Sequence, residues 1–114
     1  MANVLLVEDD VNLLQALETL LVLEGHRVRR GENGTEAFNA ASDDAPDIVV
    51  SDVMMPDMDG ITLVRALKAA PLLAHIPVIL MTAINVSHAL PVQAFLRKPF
   101  SAVELADLID RLLP

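Results

Sequence analysis

Apolar and polar positions follow two alternating patterns along this chain. Five short apolar runs, each the length of a buried strand, alternate with four helical patterns and one gap; in three of the four patterns, leucine, isoleucine or valine recur at helical spacing. This alternation is typical of repeated strand–helix units, which build a mostly parallel sheet covered by helices. The predicted strands are Asn3–Val7, Arg27–Arg30, Asp47–Ser51, Pro77–Met81 and Gln93–Leu96.

The helical stretches have recognisable ends. Gly25 ends the first helix and Pro46 stops the second from extending. Ser101 and Glu104 have the spacing of a capping box, which predicts the start of the last helix. The four predicted helices lie at residues 11–24, at residues 35–42, after Gly60, and from Ser101 to Leu112.

The connection between the fourth and fifth strands is short. Residues 84–92 remain for it, which is at or below the roughly 10–12 residues that a whole strand–helix–strand crossover needs. Pro91 would interrupt a helix that ran late into this segment. We therefore predict that this connecting helix is missing or reduced to about one turn. The predicted turn is Val86–Leu90, and the residues predicted to cover the sheet are Val86, Leu90 and Val92.

Polar residues collect where the predicted strands end. In open α/β sheets, ligands bind at the carboxyl ends of the strands. Each residue alone has a plain structural explanation, such as a helix N-cap for Asp10 or a solvated charge for Lys98. Carboxylates that converge repel one another, and a hard divalent cation among them would offset that cost. The residues concerned are Glu8, Asp9, Asp10, Asp52, Thr82 and Lys98.

Composition narrows the class of protein. The chain has 16 acidic and 8 basic residues and a formal charge of −8, which repels nucleic acid and anionic membranes, so we expect neither as a partner. It has no cysteine, and its start, MANVLLVEDD, lacks the features of a signal peptide. We expect a cytoplasmic protein with one domain over residues 1–114 and no output domain after it.

Four segments occur in order along the chain: VLLVEDD, PDIVVSDVMMPDMDG, VILMTA and FLRKPF. Through them, and over essentially all of its length, the chain resembles the receiver domain of two-component response regulators. The resemblance implies a flavodoxin-like, doubly wound parallel sheet of five strands in the order 2-1-3-4-5, here with the fourth helix shortened or missing. It implies a signalling domain rather than a classical enzyme. Its partners would be a histidine kinase or histidine phosphotransfer protein and an unknown downstream protein.

The resemblance also implies a role for each matching residue. Asp10 lies one place beyond the acidic pair and stays a helix N-cap, and the Lys98–Pro99 peptide is expected to be cis. The implied roles are phosphoacceptor for Asp52; Mg²⁺ binding for Glu8 (through water), Asp9, Asp52 and the Met54 backbone carbonyl; phosphoryl binding for Thr82, Lys98 and the Ala83 backbone amide; and switching for Thr82 and Phe95.

The chemistry of phosphoryl transfer agrees with these roles. A carboxylate that attacks a phosphohistidine meets an already anionic group, and Mg²⁺ would neutralise oxygens on both and hold them in line. In the resembling family, the positions two places after the acceptor and two places after the switch threonine flank the path of the attacking water. Here they are Met54 and Ile84, which are apolar and cannot orient a water molecule, so the resemblance implies slow self-hydrolysis.

Two other functions fit the sequence less well than a phosphorylated receiver. A haloacid-dehalogenase type of hydrolase needs a second aspartate two residues after the nucleophile, where this chain has Met54. A degenerate receiver that acts only by binding usually lacks an acid, the threonine or the lysine, and none is lost here. Many receivers dimerise through the fourth helix, the fifth strand and the last helix, so shortening of the fourth helix predicts a monomer or a different dimer. Loop packing is expected for Met54, Met55 and Met58, and surface or capping roles for His26, His75 and His88.

Overall fold

The computed structural model describes residues 2–55, 57–83 and 90–113. Within them, every predicted strand and helix is confirmed, and each predicted boundary lies within one residue of the observed one. The strands are β1 (Asn3–Val7), β2 (Arg27–Gly31), β3 (Ile48–Asp52), β4 (Val78–Thr82) and β5 (Ala94–Arg97). The helices are α1 (Val11–Leu23), α2 (Gly34–Asp43), α3 (Gly60–Ala69) and α4 (Ala102–Leu112).

The strands form one parallel sheet in the order β2-β1-β3-β4-β5, which confirms the predicted doubly wound, flavodoxin-like topology. The strand order reverses between β1 and β3, so the segments that follow these two strands leave toward opposite faces of the sheet. In such sheets this reversal opens a crevice at the carboxyl edge. The fold therefore predicts a ligand site where β1 and β3 end.

Both faces of the sheet are buried, because alternate residues of each strand point to opposite sides. Leu6 of β1 packs in a cluster with Leu14 of α1 and Ile109 of α4. Its neighbour Leu5 packs in the second cluster, which includes Leu63 of α3. The helices α1 and α4 thus cover one face, and α2 and α3 cover the other.

The short connection between β4 and β5 is described only in part. Leu90 and Val92, two of the three residues predicted to cover the sheet, are half-buried against the cluster under α2 and α3. The third residue, Val86, and most of the predicted short turn lie outside the described residues. The predicted shortening of the helix therefore stays a prediction.

Local capping follows the sequence closely. The Asp10 side chain caps α1 by accepting hydrogen bonds from the backbone N–H groups of Asn12 (3.0 Å) and Leu13 (3.2 Å), as predicted. Ser101 and Glu104 form the predicted capping box at the start of α4. No helix in the described parts of the chain is both long and apolar enough to span a membrane.

Two predictions about side-chain environment were wrong in part. His26 is buried, with 8% of its surface exposed, because its imidazole lies under the start of β1 and its Nδ1 accepts a hydrogen bond from the Ala2 N–H at 3.1 Å. Met54 is 62% exposed rather than packed, whereas Met55 and Met58 contact the cluster under α2 and α3. His75 is exposed as predicted. His88 lies outside the described residues.

Candidate functional site

Three carboxylates meet at the carboxyl edge of the sheet. Glu8 and Asp9 directly follow β1, and Asp52 is the last residue of the neighbouring strand β3. One carboxylate oxygen from each of the three lies within 4.8 Å of the others. Glu8 and Asp52 are buried while Asp9 is exposed. Parallel pairing of β1 with β3 therefore places two buried acids and one solvent-facing acid around one small space.

A lysine from the far side of the sheet reaches the same space. The Lys98 Nζ donates a hydrogen bond to Glu8 Oε1 at 2.8 Å and lies 3.2 Å from Asp52 Oδ1. The Lys98 backbone N–H donates to the Thr82 carbonyl at 2.8 Å, which anchors the segment after β5 to the end of β4. The Lys98–Pro99 peptide that follows is cis. One ammonium group thus bridges two buried carboxylates.

The electrostatics of this cluster follow from burial and pairing. Burial raises the pKa of the Glu8 carboxyl above its ordinary value, although the hydrogen bonds from Lys98 and from the Asp10 backbone oppose that rise. Burial also lowers the pKa of Lys98, but its hydrogen bond to Glu8 and the charges of Glu8 and Asp52 outweigh this and leave that pKa raised. Lys98 therefore stays cationic at neutral pH and offsets part of the cost of burying the two acids.

Thr82 and Phe95 lie on the same face of neighbouring strands. Thr82 is the last residue of β4 and is buried, one position beyond the residue that pairs with Asp52. It pairs in register with Arg97, two residues after Phe95 on β5. Phe95 is half-buried against the cluster under α2 and α3. Ala83, the next residue after Thr82, is exposed at the carboxyl edge.

The segment after Asp52 is held by backbone hydrogen bonds. The Val53 N–H donates to the Met81 carbonyl at 3.0 Å, and the Gly60 N–H donates to the Val53 carbonyl at 2.9 Å. The first bond ties the start of the β3–α3 loop to β4, and the second joins the two ends of the loop at Val53 and Gly60. The backbone carbonyl of Met54, one of the predicted metal ligands, belongs to this loop.

Gly60 and Ser51 contribute to the site, and sequence reasoning did not assign them this role. A Cβ atom on Gly60 would lie 2.3 Å from the Asp52 carbonyl oxygen, so only glycine lets α3 begin this close to β3. The buried Ser51 hydroxyl donates a hydrogen bond to the same carbonyl oxygen at 2.9 Å. The sequence did carry one signal for the role of Gly60, which directly follows the N-cap Asp59. Most residue types fit at the first position of a helix, so a glycine there indicates that another backbone segment lies close.

The donor set suits a hard divalent cation. Mg²⁺ prefers carboxylate and carbonyl oxygens together with several waters. The clustered oxygens of Glu8, Asp9 and Asp52 supply that chemistry, and the exposed Asp9 leaves one side open to water. The residues present therefore fit the ion that the resemblance implies.

A doubly wound α/β domain with an acidic cleft at the ends of β1 and β3, and a lysine reaching into it, is typical of signalling receiver domains. The family model described as the response regulator receiver domain matches residues 4–110. The chain belongs to this family. The match supports neither the dehalogenase-type hydrolase nor a different fold.

Similar proteins agree with this assignment. A probable transcriptional regulator, ycf29 of Porphyra purpurea, is 36% identical over 97% of this chain, which spans 56% of that relative. The receiver domain of a histidine kinase from Syntrophus aciditrophicus has a TM-score of 0.92 and 36% identity, covering 99% of this chain and 90% of that one. A sensor kinase receiver domain from Pseudomonas aeruginosa, solved with magnesium coordinated in its active site cleft, has a TM-score of 0.90 and 27% identity, covering 96% and 95%.

The relatives bear on one prediction made from charge. Several curated relatives are described as transcriptional regulators, and this chain spans only about half of them or less. The prediction that the protein has no nucleic-acid partner is therefore not supported. The charge of −8 describes the 114 residues here, and it says nothing about regions that the relatives have beyond the shared domain.

Proposed function

We propose that this receiver domain takes a phosphoryl group onto Asp52 from a histidine kinase or a histidine phosphotransfer protein, in a Mg²⁺-dependent reaction in the cytoplasm. The observation that carries the proposal is the placement of Asp52 itself. Its carboxylate is buried between a cluster of acids fit for a metal ion and the ammonium group of Lys98. A carboxylate in this setting is shielded from bulk water yet surrounded by groups that stabilise added negative charge.

The roles of the chain's own groups follow from their positions. An Asp52 oxygen attacks the phosphorus, the P–N bond to the donor histidine breaks, and the imidazole leaves with that electron pair and takes up a proton. Lys98, which now spans Glu8 and Asp52, turns to a phosphoryl oxygen, while the Thr82 hydroxyl and the Ala83 N–H donate to the others. Glu8, Asp9, Asp52 and the Met54 carbonyl would hold Mg²⁺, which would neutralise part of the negative charge that the phosphoryl group brings to the acidic cluster.

An apolar groove beside Lys98 supports a helical protein as the phosphodonor. The groove has a volume of about 480 Å³ and lies between α1 and the segment that follows β5. Leu13, Leu17 and Leu20 line one wall at helical spacing, and Pro99 and Phe100 line the other. Such a surface accepts the apolar side of a partner helix, whose reactive histidine would then lie close to Asp52.

The output side of the proposal rests on Thr82 and Phe95. Movement of the Thr82 hydroxyl toward the phosphoryl group vacates space on the face of the sheet that it shares with Phe95, and the aromatic ring then fills that space. The result is a population shift between two packings, which a downstream protein can distinguish. The predicted monomeric state depends on residues outside the described ranges and is kept as a prediction.

The experiment that tests the proposal uses the intact chain with Mg²⁺ and acetyl phosphate, a small acyl phosphodonor. Intact mass spectrometry should show the gain of one phosphoryl group, and EDTA should prevent it. The same gain should occur with a phosphorylated histidine phosphotransfer domain as donor. A chain that gains no phosphoryl group from either donor with Mg²⁺ present would contradict the proposal and favour a domain that acts by binding alone.

We expect Met54→Asn to accelerate loss of the phosphoryl group by roughly fivefold, because an amide side chain beside Asp52 can orient the attacking water. Met54 is apolar and 62% exposed at the mouth of the site, so the substitution leaves the core intact. The decay of the phosphorylated mass with time measures the rate. Met54→Leu is the matched control and should keep the wild-type rate; an equal or slower decay in Met54→Asn would refute this account.

A further inference from the structure

The β3–α3 loop, residues 53–59, has a third support that comes from another part of the chain. Besides the two bonds that close it, the Met58 carbonyl accepts a hydrogen bond from the Gly34 N–H at 3.1 Å. Gly34 is the first residue of α2, directly after the N-cap Asn33. The loop beside the carboxylates is therefore braced by the start of a helix that contributes no side chain to the site.

The contact depends on residue 34 being glycine. A Cβ atom there would lie 2.3 Å from the Met58 carbonyl oxygen and 2.7 Å from the Met58 Cβ and Cγ atoms. Gly34 does not have a positive φ angle, and the first position of a helix accepts most residues, so its backbone conformation does not require glycine. Close approach to Met58 is the remaining reason, and any side chain would push the loop away.

The loop also has a backbone conformation that local preferences do not favour. Asp57, next to Met58, has a φ of 64°, which is uncommon for a residue other than glycine. Such conformations persist when the surrounding structure holds them in place. The Gly34–Met58 hydrogen bond is formed at the next residue along the chain, so it anchors the backbone directly beside Asp57.

We propose that Gly34 is a positioning residue for the metal site. By letting α2 pack directly on Met58, it fixes the loop that carries the Met54 carbonyl, one of the groups that would bind Mg²⁺. A Cβ atom at residue 34 would have to displace Met58 by about 1 Å to turn the 2.3 Å overlap into ordinary contact. Mg²⁺ requires nearly ideal ligand geometry, so it would tolerate poorly the part of that displacement that reaches the Met54 carbonyl. This inference rests on the proposed function.

The test compares Gly34→Ala with Gly25→Ala. Gly25 has a φ of 91° and no atom within 4 Å of its would-be Cβ, so alanine there strains the backbone without touching the loop. Isothermal titration calorimetry should show Mg²⁺ binding weakened roughly tenfold in Gly34→Ala and unchanged in Gly25→Ala. Thermal unfolding verifies that both variants are folded, and phosphorylation of Gly34→Ala should recover at saturating Mg²⁺. An affinity equal to wild type in Gly34→Ala would overturn the inference.

A second measurement needs no variant. Coupling between two sites is reciprocal. If the Gly34–Met58 hydrogen bond strengthens Mg²⁺ binding, then Mg²⁺ binding must stabilise that hydrogen bond. Hydrogen exchange followed by NMR should show that protection of the Gly34 amide increases in proportion to Mg²⁺ occupancy. A Gly34 exchange rate that does not depend on Mg²⁺ would refute the inference. This measurement remains valid even if Gly34→Ala does not fold. This inference alone would fail if wild type bound Mg²⁺ and was phosphorylated, but neither the affinity of Gly34→Ala nor the exchange of the Gly34 amide changed as expected. If wild type neither bound Mg²⁺ nor was phosphorylated, the proposed function would fail as well.

Discussion

The Asp52→Asn variant is expected to gain no phosphoryl group under conditions in which the wild-type chain gains one. The amide is nearly the same size as the carboxylate, so the buried position stays filled, but its oxygen is a poor nucleophile and the negative charge is gone. Asp52 is 6% exposed and lies 3.2 Å from the Lys98 ammonium. Glu8 is also buried and lies 2.8 Å from the same ammonium, so the variant tests directly which of the two carboxylates is the acceptor. Intact mass spectrometry after incubation with Mg²⁺ and acetyl phosphate measures the result.

Asp10→Asn is the matched control for that experiment. Asp10 lies in the same acidic run but caps α1 with its side chain, and asparagine caps a helix about equally well. Asp10→Asn should therefore be phosphorylated like wild type. If Asp52→Asn gained the full mass of one phosphoryl group, another residue would be the acceptor and the assignment of Asp52 would be wrong.

The Lys98→Met variant is expected to lose about 2 kcal/mol of its free energy of unfolding when Mg²⁺ is absent, and to regain most of that loss when Mg²⁺ is added. Methionine fills the aliphatic volume but leaves the buried Glu8 and Asp52 without the ammonium that now bridges them. Breaking a fully buried pair usually costs more, but 23% of the Lys98 side chain is exposed, so solvent screening reduces the effect. Mg²⁺ restores positive charge among the same carboxylates.

Chemical denaturation with and without Mg²⁺ measures this effect. Lys68→Met is the control, because Lys68 is the only other lysine and its Nζ donates to the carbonyls of Ala74 and Ile76 rather than to an acid. Its loss of stability should be the same with and without the ion. A stability deficit in Lys98→Met that did not depend on Mg²⁺ would mean that Lys98 acts by packing and not by charge.

The elements of this fold were open to prediction because their signals are local. The leucine spacing of α1, the turn at Gly25 and the capping box at Ser101 each depend on residues within a few positions of one another. The strand order was predicted from the family resemblance carried by four segments, and the sheet has that order. The burial of His26 was not predicted, because it depends on the start of β1, more than 20 residues away in the chain.

The sequence by itself determined which polar residues meet, because strands of a parallel sheet end at one edge and Glu8, Asp9, Asp52, Thr82 and Lys98 all follow or end a strand. Only the tertiary structure decided how they are held. The Lys98 ammonium contacts two acids, one of which, Glu8, is 90 residues away in the chain. The hydrogen bond to the Met58 carbonyl comes from Gly34, at the start of a separate helix. Contacts of this kind depend on distances of a few tenths of an ångström between segments that are remote in the chain, and no local pattern of residues encodes such distances.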